Sequence, residues 1–90
     1  MRIADRLPHG QDNAVPLEHL VILTGMNERD VRRQIEAERR AGVLILSDNQ
    51  HGYWLTDDPA EALRFARSMR RRAGAILKTA SAVERAAGLG

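Results

Sequence analysis

The chain has 90 residues, a net charge of +2 from 14 Lys or Arg against 12 Asp or Glu, 43% hydrophobic residues and no cysteine. That length suits one domain with an appended element, and without cysteine neither a disulfide framework nor a thiolate metal site can form. MRIADRLPHG has no apolar run of the signal-peptide kind and no stretch approaches the roughly 18 apolar residues of a membrane span, so a soluble, cytoplasmic protein with no membrane contact is expected.

Residues 3–7 (IADRL) predict a short first helix, and PHGQDN (8–13) predicts a loop from its Pro, Gly, Asp and Asn content. Ala14-Val15 can add a short strand. Pro16 opens a helix, because proline at the first helical position loses no hydrogen bond, and Glu18 sits at the favourable positive end of the dipole. Leu17, Leu20, Val21 and Leu23 supply its apolar face. Thr24-Gly25 ends it, with Gly25 free to adopt the left-handed conformation of a C-cap.

MNERDVRRQIEAERRAG (26–42) holds five arginines and four acids. Asn27 is a good N-cap, Glu28 and Asp30 sit in the first turn, and Gly42 stops the helix after Ala41. At 100° per residue Val31, Gln34, Ile35 and Glu38 share one narrow face, and Arg29, Arg33, Glu36 and Arg40 share the opposite one, with Arg32 beside them. Glu38 on the inner face is expected either to pair with a nearby base or to cap backbone groups under the wing.

VLILS (43–47) and GYWLT (52–56) read as strands joined by the turn residues DNQH and Gly52, a β-hairpin. Trp54 and Tyr53 are read as core and partial surface. The tip Asp48-Asn49-Gln50-His51 has no Lys or Arg. From Asp58-Pro59-Ala60-Glu61, a cap and proline start, a helical pattern runs to about Ala87. Along it Ala62, Ala66, Met69, Ala73, Ile76, Ala80, Val83 and Ala87 alternate spacings of four and three, a heptad seam with alanine at 66, 73, 80 and 87. Gly74 lies outside the seam. Arg64, Arg67, Arg70, Arg71 and Arg72 are read as the solvated surface of this helix, with phosphate contact as the alternative.

Residues 16–56, LEHLVILTGMNERDVRRQIEAERRAGVLILSDNQHGYWLT after the proline, resemble the winged-helix DNA-binding domain at the N-terminus of biotin operon repressors, and the small helix-turn-helix proteins of phages and prophages. The likeness rests on helix, Thr-Gly-Met turn, second helix, Ala-Gly stop, and a wing ending in Gly-Tyr. It implies a mainly α fold with a small hairpin, a winged helix-turn-helix over residues 1–57 followed by a long C-terminal oligomerisation helix over 58–90. It further implies double-stranded DNA as partner, as for a transcriptional regulator or a phage-type replication or packaging accessory.

Within that frame Asn27, Glu28, Arg29, Arg32 and Arg33 are the expected base-reading residues of the second helix in the major groove, Glu36 lies on the same DNA-binding face, Arg39 and Arg40 are the phosphate contacts, and Gln50 and His51 the wing contacts. The seam residues 62, 66, 69, 73, 76, 80, 83 and 87 are the expected homodimer interface. His9, His19 and His51 lack metal-ligand spacing, and there is no P-loop, GxSxG or paired-carboxylate signature. No enzyme activity, cofactor, metal or small-molecule substrate is expected. The competing reading is a protein-interaction adaptor with a winged-helix fold that does not bind DNA.

Overall fold

A computed structural model describes residues 2–88; residue 1 and residues 89–90, which belong to the ends of the two expected segments, lie outside the described residues. The chain divides into two units, Met1–Pro59 and Ala60–Gly90.

The first unit opens with a 3₁₀ turn, Ile3–Arg6, and a second, Gln11–Asn13, inside the expected loop. Helix α1 spans Leu17–Thr24, helix α2 spans Glu28–Arg40, strand β1 spans Ile45–Asp48 and strand β2 spans Gly52–Leu55. Pro16 stands at the cap position before α1 in extended conformation, one residue earlier than expected. Gly25 ends α1 with φ of 72° and donates its N–H to the Val21 carbonyl. That left-handed step is open to glycine at little steric cost. Thr24 reinforces the turn: its hydroxyl donates to the Leu20 carbonyl and accepts from the Met26 N–H. Asn27 then caps α2, its Oδ1 accepting from the Asp30 N–H at 2.8 Å.

β1 and β2 pair antiparallel, with Ile45 opposite Leu55 and Leu46 opposite Trp54. The expected strand at Ala14-Val15 is a single bridge, in which Val15 and Tyr53 exchange both backbone hydrogen bonds at 2.8 and 2.9 Å. Gly52 is indispensable to it. A Cβ there would lie 2.4 Å from the Val15 carbonyl oxygen, and its φ of 105° is one L side chains rarely adopt.

The core gathers Ile3, Leu7, Leu20, Val31, Ile35 and Ile45, with Val15, Leu17, Val21, Met26, Val43, Tyr53 and Leu55 packed around it. Leu46 and Trp54, on the other face of the hairpin, are buried too. The expected apolar face of α1 needs one correction. Leu23 is 48% exposed and its neighbour Ile22 78%, so only Leu17, Leu20 and Val21 point inward. A helix of two turns has room for a narrow buried stripe, and Leu23 falls outside it.

Glu38 is 5% exposed among apolar neighbours. Its two carboxylate oxygens accept from the backbone N–H groups of Ile3 at 2.6 Å and Ala4 at 2.9 Å, and from the Gln34 side-chain amide at 2.8 Å. One residue of α2 therefore caps the N-terminal 3₁₀ turn and ties it to the helix. It does cap backbone N–H groups, but those of the N-terminal turn and not the expected ones under the wing, because the chain start packs across this face of α2. Burial works to raise its pKa, but the Ala4, Gln34 and Ile3 hydrogen bonds and the charge of Arg2 together hold it below the ordinary value.

The second unit is the long helix α3, Pro59–Ala86, which stops one residue short of Ala87. None of its residues is fully buried. The architecture is thus mainly helical, with a two-stranded hairpin and a long C-terminal helix, and the order helix, turn, helix, hairpin is compatible with a winged-helix layout.

Candidate nucleic-acid interface

The outer face of α2 follows from its spacing. Because Val31, Ile35 and Glu38 are buried, residues about half a turn away face solvent, and Arg29, Arg32, Arg33, Glu36, Ala37 and Arg40 line one shallow groove. Four arginines and one glutamate surround it. Among the described residues Arg29, Arg33 and Arg40 are exposed and make no hydrogen bond or ion pair within the chain. Arg32 reaches Glu28 at 3.7 Å, but both side chains are more than 60% exposed. Such an exposed pair is worth little and opens readily to another anion.

Arg39 behaves differently. Its Nε donates to the Ile45 carbonyl at 2.8 Å, one terminal nitrogen binds Glu36 at 2.9 Å, and the other donates to the Ser47 hydroxyl at 3.1 Å. Its side chain is 17% exposed. Sequence reasoning places Arg39 beside Arg40 as a phosphate contact, whereas its planar fork is engaged in joining α2 to β1. Asn27 likewise has its side-chain oxygen committed to the cap. Ala37, which sequence reasoning omitted, lines the groove; its small size at i+4 from Arg33 and i−3 from Arg40 is the only signal that could have marked it.

The hairpin tip carries Gln50 and His51, both exposed. Asp48 organises it: the carboxylate accepts from the backbone N–H groups of Gln50 and His51, lies 2.8 Å from His51 Nδ1, and accepts from the Gln11 side chain at 2.6 Å. Burial opposes ionisation here, yet the His51 and Gln11 hydrogen bonds and the His51 charge outweigh it, lowering the Asp48 pKa to about 2. The tip is therefore held in shape by an acid and offers no Lys or Arg to a phosphate.

On α3 the seam residues Ala66, Met69, Ala73, Ile76, Ala80 and Val83 are exposed, Ile76 by 68% and Val83 by 62%. Ala62 is half-buried, and Ala87 lies beyond the helix end. Arg64, Arg67, Arg70 and Arg71 line a second arginine groove on the same helix, while Arg72 is not among its lining residues.

Among the described residues, no group of three or more His, Asp or Glu side chains is arranged to hold a metal ion, and no helix is long and apolar enough to cross a membrane. The chain matches no protein-family model, no curated protein and no solved structure.

Proposed function

We propose that this is a winged-helix DNA-binding protein in which α2 enters the major groove and α3 pairs two copies. The observation that carries the reading is the unpaired arginine set Arg29, Arg33 and Arg40 on the outer face of the helix that follows the Gly25 turn. Arginine's fork suits both guanine edges and phosphate oxygens. Arg29, Arg32 and Arg33, near the N-terminal end of α2, are the base-reading candidates, with Glu28 and Glu36 beside them, and Arg40 is the phosphate contact. Arg39 is a positioning residue, fixing the hairpin against α2.

Binding to mixed-sequence duplex DNA in a gel shift, weakening steeply with salt, tests the reading. Arg33→Ala is expected to weaken binding at least tenfold with no fall in melting temperature, since the side chain is exposed and makes no hydrogen bond or ion pair among the described residues. Unchanged affinity would remove α2 from the groove.

A second reading is favoured by the other exposed surface. Ile22 and Leu23 stand in solvent on α1, and the hairpin tip carries an acid and no Lys or Arg. These features suit a protein-docking adaptor, which predicts no DNA binding even at low salt.

A further inference from the structure

We infer that the partner of the α3 seam is a second copy of this chain running antiparallel, in the register that sets Ala66 against Val83, Met69 against Ala80 and Ala73 against Ile76. The inference deepens the pairing part of the proposed function and stands independently of DNA binding.

Three observations carry it. The six seam positions from Ala66 to Val83 are all exposed, with Met69, Ile76 and Val83 uncovered by 38, 68 and 62%. This apolar stripe sits on a helix of 28 residues, about 42 Å long. Second, the seam alternates strictly between alanine at 66, 73 and 80 and a large residue at 69, 76 and 83. Two parallel copies would stack alanine on alanine in one layer and Ile76 on Ile76 in the next, so straight helices could not keep one spacing. Antiparallel copies put one alanine and one large side chain in every layer, giving a uniform, close approach.

Third, the charges agree. Parallel pairing would bring two runs of Arg70-Arg71-Arg72 to the same height. Antiparallel pairing in this register sets that run level with Leu77, Lys78 and Thr79 of the second copy. It also brings Glu84 of the second copy to the same flank as Arg70, about 7.5 Å away along the axis. Helical side chains lean toward their own N-terminus, so these two lean toward each other. Of the other bases, Arg64, Arg71, Lys78 and Arg85 recur every seven residues on the side opposite the seam, where pairing leaves them and Arg67 in water, and the Arg72 side chains of the two copies share the other flank but lean apart. The two Pro59 residues, at which the helices begin, then lie at opposite ends of the pair.

The absence of native cysteine makes the test direct. Chains carrying Ala66→Cys and chains carrying Val83→Cys are mixed, re-equilibrated and mildly oxidised, and the linked peptides are identified by mass spectrometry. The expected product is the mixed 66–83 disulfide. In this register residues 66 and 66 of the two copies are about 25 Å apart along the axis, so disulfides between like chains should be rare. Predominant 66–66 and 83–83 products would show parallel pairing and overturn the inference. A monomeric mass by light scattering at micromolar concentration would overturn pairing altogether; failure in the gel shift with the mixed disulfide intact would sink only the DNA reading. The register has its own check: Arg70→Glu should weaken the dimer about fivefold and Glu84→Arg in the same chain should restore it. No recovery would refute the Arg70–Glu84 proximity, and with it the register.

Discussion

Glu38→Gln and Glu38→Ala test whether a single α2 side chain holds the N-terminal turn in place. The wild-type carboxylate accepts two backbone N–H groups, from residues that are themselves buried, Ile3 completely and Ala4 to 6% exposure. Truncation to alanine orphans both donors. At about 1–3 kcal/mol for each buried group left unsatisfied, the loss is about 2–6 kcal/mol. A unit of this size has only about 3–9 kcal/mol in all, so Glu38→Ala should be largely unfolded or close to it. The Gln34 amide adds little, because it is half-buried and can turn to water. Glu38→Gln keeps the volume and one acceptor oxygen, but its amide N–H₂ faces one of the two donors, and a loss of about 1–3 kcal/mol is expected.

The assay is urea unfolding followed by fluorescence of Trp54, the sole tryptophan and 4% exposed. The pH dependence adds an independent constraint. The folded pKa of Glu38 lies below its ordinary 4.5, so its stabilisation is complete above that value and disappears as the pH falls through the lowered folded pKa. The gap between wild type and Glu38→Gln should be widest near neutrality and close in acid. Equal stability at pH 7 within about 0.5 kcal/mol, the usual scatter of surface substitutions, or a gap that persists unchanged in acid, would refute the capping role.

Gly52→Ala should lower the melting temperature by at least about 8 °C, the equivalent of roughly 2 kcal/mol, because the new Cβ meets the Val15 carbonyl; an unchanged melting curve would contradict that contact. Arg39→Met, which keeps the stem but not the fork, should destabilise by about 1–3 kcal/mol through loss of the Ile45 and Ser47 hydrogen bonds, while weakening DNA binding less than Arg33→Ala does. The opposite order of the two variants in a gel shift would make Arg39 a direct contact. Asp48→Asn should lower the melting temperature at pH 7, and the difference should shrink steadily as the pH falls from about 4 through 2, where the wild-type carboxylate, depressed to about 2, loses its advantage. A difference that is undiminished at pH 2 would mean that the ionised carboxylate is not what shapes the hairpin tip.

The boundaries of these elements were legible because they depend on local chemistry. Gly25, Asn27 and Gly42 each punctuate the chain through their own backbone freedom or side-chain oxygen, and Pro59 marks the start of α3 in the same way. The outward arginines of α2 were legible for a related reason, since thirteen residues with buried positions at 31, 35 and 38 leave little freedom for the rest. What stayed hidden was set by residues distant in sequence. Nothing near Glu38 announces Ile3 and Ala4, which lie 35 and 34 positions away. Arg39 and Arg40 are indistinguishable by type, and only the path of β1 past the end of α2 separates a strut from a free cation. Gly52 was read as a turn residue, whereas its stricter constraint is the approach of Val15. Leu23 was misplaced because two helical turns cannot tell a narrow stripe from a broad one.

The same sorting changes how the charge of α2 should be counted. Along residues 26–42 the four acids nearly cancel the five arginines, which by itself argues against a partner as negative as DNA. Three of the four acids have partners within the chain, however, and among the described residues only Asp30 has its carboxylate unpaired. Glu38 is buried and saturated by N–H donors, and Glu36 is drawn to Arg39, with which it forms a closed pair at 2.9 Å. Glu28 holds Arg32 only through an exposed 3.7 Å contact, which salt screens and a phosphate can displace. The face left to solvent keeps Arg29, Arg33 and Arg40 without an ion pair of their own among the described residues, with Arg32 available on demand, against the single carboxylate of Glu36 in the same groove. Counting by position rather than by sequence thus leaves the outer groove of α2 with four arginines against one carboxylate, which answers in part the objection that composition raises against the proposed role of α2.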